Sequence, residues 1–147
     1  MLRLMLIFFA FLLAGCASVT PPDTESGNPE IILTNIKFGC VRSMFMNSFI
    51  NQGYTIRNVS NTQIVAGRTA TNASLWYHTF YGGAPEERVT ILFFPMDTPD
   101  SLQVISTAAY ISDPATASEK VFAVQGTQED QVQLTAMKNI IENRCSK

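Results

Sequence analysis

His78 is the only imidazole in the chain, so proton exchange near neutral pH by a side chain of ordinary pKa falls to it alone. A histidine base needs a carboxylate to orient it and a nucleophile within hydrogen-bond reach. The nearest acids are Glu86 and Glu87, beyond the turn signal Gly82-Gly83-Ala84-Pro85. Such an acidic pair reads more simply as solvated turn residues. Ser60, Ser74 and Ser101 sit in no G-x-S-x-G setting. Asp97, Asp100 and Asp113 lack the spacing of a calcium loop. No Lys-Ser or Lys-Thr follows Gly82-Gly83, as a phosphate loop requires. One His and three Cys are too few for a multi-ligand zinc site. The chain therefore reads as non-enzymatic, with no cofactor and no metal. Ten basic against twelve acidic residues, a net charge of −2, also argue against a nucleic-acid binder, which needs clustered Lys and Arg.

The one residue with a clear chemical assignment is Cys16. Residues 1–15 read MLRLMLIFFAFLLAG: Arg3 gives a positive start, and Leu4 to Leu13 give an apolar run. That run is shorter than the roughly 20 residues needed to span a bilayer, so it reads as a signal peptide. It ends in Leu13-Ala14-Gly15-Cys16. This segment resembles the signal of bacterial lipoproteins, whose lipobox is a Leu, two small residues and an invariant Cys. The resemblance implies that the Cys16 thiol takes a diacylglyceryl group, that cleavage precedes it, and that the new amine is acylated. Two or three acyl chains anchor stably where one does not. In Gram-negative members an Asp after the Cys retains the protein at the inner membrane; here Ala17 stands there. The resemblance thus implies the outer membrane, on its periplasmic side.

The rest of the chain must supply the structure. With 46% hydrophobic and 15% charged residues it has the composition of a folded domain, and 147 residues suit one domain. Residues 16–30 are rich in Pro, Ser, Thr and Gly and read as the lipidated Cys plus a flexible tether; fourteen extended residues reach about 46 to 50 Å. The domain is then expected over 31–147. Val41, Met44, Phe45, Ser48 and Phe49 recur at helical spacing, and Gly53 closes that helix. Strands are expected over 54–59, 62–69, 88–94 and 101–111, with 75–81 extending or restarting the second. Residues 31–33 and 119–124 are open between strand and loop. Thr127 with Asp130 begins a second helix, whose apolar face is Leu134, Met137, Ile141 and Cys145. The expectation is a two-layer α+β domain: a four-stranded antiparallel meander with an N-terminal and a C-terminal helix on one face. That order resembles the helix-grip arrangement of several bacterial envelope lipoproteins.

Cys40 opens the first helix and Cys145 closes the second. With four strands between them the helices are antiparallel and both cysteines reach the same end; an odd number would part them by a helix length. Export permits oxidation, so a Cys40–Cys145 disulfide is expected, the alternative being two buried thiols.

The segment Leu75-Trp76-Tyr77-His78-Thr79-Phe80-Tyr81 holds the only Trp and two of the four Tyr. Its aromatics either stabilise the sheet by cross-strand pairing or, as Trp76, Tyr77 and Tyr81 beside Arg68 or Arg88, form a partner surface. The leading expectation is a lipid-anchored, non-enzymatic interaction or assembly module that meets another envelope protein. The alternative is a carrier of a small apolar ligand or lipid, held between helices and sheet by residues such as Phe45, Phe49, Phe93 and Met137.

Overall fold

A computed structural model describes residues 20–70 and 85–147. Cys16, His78 and the aromatic segment 75–81 lie outside the described residues. The chain runs β1 (Glu30–Leu33), α1 (Phe38–Asn51), β2 (Thr55–Val59), β3 (Gln63–Thr69), β4 (Glu86–Pro95), β5 (Leu102–Ser112), β6 (Lys120–Val124) and α2 (Gln128–Cys145). The α+β class holds, with two helices and an antiparallel sheet, but the described sheet has six strands rather than four. Its order is β1-β5-β4-β3-β2, and β6 also pairs with β5.

The two additional strands share one edge. Leu33 lies opposite Leu102 and Glu30 opposite Ile105, at the start of β5. Val124 lies opposite Ala108 and Lys120 opposite Ser112, at its end. Both are antiparallel to β5, so β6 and then β1 follow one another along its edge. The Ser106 N–H, at the join, donates to the Pro29 carbonyl at 2.8 Å. Strands of four and five residues are too short to declare themselves by alternation, and every residue of β6 is exposed.

The helices form for the reasons their residues suggest. Gly53 (φ 79°) takes the left-handed conformation after α1. The Gly53 N–H then donates to Ile50 and the Tyr54 N–H to Phe49, each at 3.0 Å. The Phe49 and Tyr54 rings close this Schellman-type end at 5.4 Å. At the start of α2, Thr127 and Asp130 form a reciprocal capping box. Val41, Phe45 and Phe49 from α1 and Leu134, Ile141 and Cys145 from α2 are buried against the sheet. They meet Ile31, Leu33, Ile64, Ala66, Ile91, Phe93, Leu102 and Val104 in one core. Phe93 is at its centre, edge-on to Phe38 at 5.3 Å and to Phe45 at 6.0 Å.

Cys40 and Cys145 are joined in a disulfide, with Cα atoms 5.5 Å apart. Among the described residues five strands, an odd number, lie between the two helices, so counting strands does not by itself explain the meeting. Half-length β6 does. Gln131 clasps the backbone of Glu30, accepting from its N–H at 2.7 Å and donating to its carbonyl at 2.8 Å. At the other end of α2 the Cys145 carbonyl accepts from the Lys37 N–H at 2.9 Å. The helix therefore runs alongside residues 30–37 in their own direction, which is also the direction of β6. The chain passes from β6 into α2 without reversing, and α1 and α2 end up antiparallel after all.

The segment read as tether is also part of the fold from Thr20 onward. The Thr20 carbonyl accepts from the Gln128 N–H at 3.1 Å, one of the orphan donors at the start of α2. A turn over 24–28 is closed by Gly27 N–H to the Thr24 carbonyl (3.2 Å) and Thr24 Oγ1 to the Asn28 carbonyl (2.7 Å). Pro22 and Pro29 are buried. Gly126 lies so close to the Pro29 ring that a β-carbon there would overlap it.

Candidate functional site

Glu86 and Glu87 are not solvated turn residues; they open β4, and consecutive strand positions send them to opposite faces. Glu87 is on the helix side with Val89, Ile91 and Phe93. Its row is Arg68–Glu87–Tyr110. Arg68 Nε donates to Glu87 at 3.0 Å and its Nη1 donates to the Gln52 carbonyl at 3.2 Å. The guanidinium lies 4.2 Å from the Tyr54 ring centre, within cation–π range. The Tyr54 hydroxyl donates to Glu87 at 2.6 Å. Burial first, then this hydrogen bond and the charge of Glu87, push the Tyr54 hydroxyl well above its ordinary value. A pKa raised on folding stabilises the native state fully below the unfolded value, about 10, and that contribution is lost as pH rises beyond it. Thermal stability is therefore expected to fall between pH 9 and pH 11 more steeply than in Tyr54→Phe, which should itself lose about 1 kcal/mol. Parallel melting curves of the two proteins across that range would overturn this.

Glu86 is on the opposite face and only 4% exposed. Arg57 Nη2 donates to it at 2.5 Å and Arg88 Nε at 2.9 Å. Arg88 continues to Glu119 at 2.9 and 3.4 Å, and Glu119 also accepts from the Ala115 N–H at 3.0 Å. The Arg88 hydrogen bond, with that N–H, holds Glu119 below the usual carboxylate range. Gly67 makes room for Glu86: a β-carbon there would overlap its carboxylate. Gly67→Ala and Glu86→Gln are each expected to cost about 2 kcal/mol by urea titration. That is under the roughly 3 to 5 kcal/mol of a broken buried pair, because Arg57 is half exposed and can return to water. A loss under about 0.5 kcal/mol in both would mean that the network contributes nothing.

Buried Glu86 is neutralised by Arg57 and Arg88, and half-buried Glu87 by Arg68. Among the described residues no three His, Cys, Asp or Glu side chains are grouped to hold a metal ion. Arg68 and Arg88 point to opposite faces, since Arg68 pairs with Glu87 and Arg88 with Gly67. Phe45, Phe49, Phe93 and Met137, which a carrier would use to line a cavity, pack in the common core.

The sheet face away from the helices carries another arrangement. Ile32, Gln103 and Phe94 form one cross-strand row, and Glu30, Ile105, Leu92 and Gln63 the next. Ile32 is 45% and Phe94 44% exposed, while Leu92 and Ile105 are half-buried. The signal for this surface lay in Ile91-Leu92-Phe93-Phe94. A strand with one wet face alternates, whereas an unbroken apolar run provides for both faces.

No known protein family, no characterised protein and no solved structure matches this chain.

Proposed function

We propose that this protein is a lipid-anchored lipoprotein of the bacterial envelope, facing the periplasm from the outer membrane. It acts as a non-enzymatic interaction module whose contact surface is the open face of the sheet. The observation that carries the contact surface is the apolar side chains of two adjacent cross-strand rows, Ile32 and Phe94 in one and Leu92 and Ile105 in the next, on a face that neither described helix covers. Side chains of this kind on an otherwise ordinary surface mark partner sites. The lipobox ending at Cys16 supports the anchor, and the Cys40–Cys145 disulfide fits an oxidising compartment. No helix among the described residues is long and apolar enough to cross a membrane.

A photo-crosslinking residue at position 94, activated in intact cells, is expected to give one adduct with an envelope protein. The adduct should vanish when Ile32 and Leu92 are changed to Asp. A crosslinker at Asn143, on the outer side of α2, should give none. Equal, diffuse labelling from positions 94 and 143 would overturn the assignment of this face.

A further inference from the structure

The way the chain enters the domain fixes more than an anchor. Thr20 is bound at the start of α2, and residues 20–30 are held to the body by hydrogen bonds and by two buried prolines. Only Ala17, Ser18 and Val19 separate Cys16 from Thr20. Four Cα–Cα steps reach at most about 14 Å, not the 46 to 50 Å of a free fourteen-residue tether. If Cys16 carries the lipid, the bilayer surface lies within that distance of one particular place on the domain: the junction of β6 and α2.

That place carries exposed apolar side chains. Val121 is 63% exposed, and Phe122 and Val124 are each 38% exposed. They sit on an edge strand whose only pairing among the described strands is with β5. An apolar edge strand is an aggregation hazard unless something covers it. Its one basic residue is Lys120, and Asp23, Glu25, Glu129 and Asp130 stand exposed on the neighbouring strap and first helical turn. This rim disfavours anionic lipid, so the contact takes uncharged headgroups and is driven by apolar burial.

We infer that the β6 edge lies against the bilayer, with Val121 from one face of the sheet and Phe122 and Val124 from the other meeting its headgroups, and strap 20–30 holding the domain in that orientation. This rests on the lipoprotein reading and goes beyond it, because a lipid on a long tether would leave the domain free to turn. The apolar side chains of the open face, at the start of β5, then remain available for a protein partner.

The test uses the full-length lipidated protein in phosphatidylcholine vesicles carrying a nitroxide on a fraction of their headgroups. A small fluorescent amino acid is placed at Val121, at Phe94, or at Val59 on the opposite sheet edge, about 19 Å away at four strand spacings. Quenching at 121 is expected to exceed that at 94 and 59 at least threefold. It should persist in high salt and fall to their level when fifteen Gly/Ser residues are inserted after Ser18. Equal quenching at all three sites in vesicle-bound protein overturns the orientation while leaving the anchor intact. Strongest quenching at 94 assigns the open face to the membrane and also overturns it. Protein that stays off the vesicles and shows no lipid by mass overturns the lipoprotein reading, and the orientation with it.

Discussion

Replacing Cys40 and Cys145 together with Ala is expected to lower the unfolding free energy by about 4 kcal/mol, at the upper end of what one bridge contributes. The size follows from the loop, which spans a sequence separation of 105. In the chain-entropy model a loop of that length restricts the unfolded chain by roughly 4 to 5 kcal/mol. The native state already brings the two backbones together without the sulfurs. Lys37 N–H donates to the Cys145 carbonyl at 2.9 Å, Ile36 and Ser146 form an antiparallel bridge, and Lys147 N–H reaches the Asn35 carbonyl at 3.2 Å. Lys147 also pairs with Asp100 at 2.5 Å. The double variant should therefore keep its fold, with an unchanged far-ultraviolet spectrum, and unfold at a much lower urea concentration. Intact mass should rise by about two protons when the parent protein is reduced. A loss under about 1 kcal/mol in the double variant would place the restraint in the backbone contacts rather than in the bridge.

What the sequence disclosed here, and what it hid, follows from the range of the forces involved. The α1 stripe of Val41, Phe45 and Phe49 and the cap at Gly53 are set by neighbours within four residues, and both were legible. The same holds for the Thr127–Asp130 box and for the buried pair Ile64 and Ala66 on β3. The β1 and β6 segments stayed open between strand and loop, because each is only four or five residues long and pairs with just half an edge of β5, which for β1 comes from far away in sequence. Strap 20–30 has the composition of a loose linker. It is held by Ser106, Gly126, Gln128 and Gln131, all far downstream in sequence. Glu86 looked like a turn acid because its arginines, Arg57 and Arg88, come from separate strands. The cysteine pairing was expected from a count of four strands. It forms with five, because a half-length strand hands the chain to α2 without a reversal.

Cys16→Ser is expected to move nearly all of the protein from the membrane to the soluble fraction, the largest functional effect of any single change. In the proposed lipoprotein the diacylglyceryl group is carried on the Cys16 sulfur, and the hydroxyl of a serine at this position would not take its place. Without that group, neither cleavage before residue 16 nor acylation of the new amine follows. Each acyl methylene contributes about 0.8 kcal/mol, and two or three chains together make release negligibly slow. The competing contribution is the apolar β6 edge. Val121, Phe122 and Val124 would each gain about 1.5 to 3 kcal/mol if fully buried. They only graze the headgroups, and acidic residues flank them, so the edge adds to the contact of a domain that strap 20–30 already holds there but can neither orient a loosely tethered domain nor hold a free one. The uncleaved apolar run of residues 1–15 is the remaining means of attachment, so the variant is best made with a non-lipoprotein export signal fused directly ahead of position 16. Fractionation with and without high salt, and the mass of the mature N-terminal peptide, separate the cases. A Cys16→Ser protein that stays with the membrane after a salt wash, with no lipid on that peptide, would transfer the anchoring role from Cys16 to the folded domain. It would then make β6 the attachment site instead of the surface that the lipid holds in place.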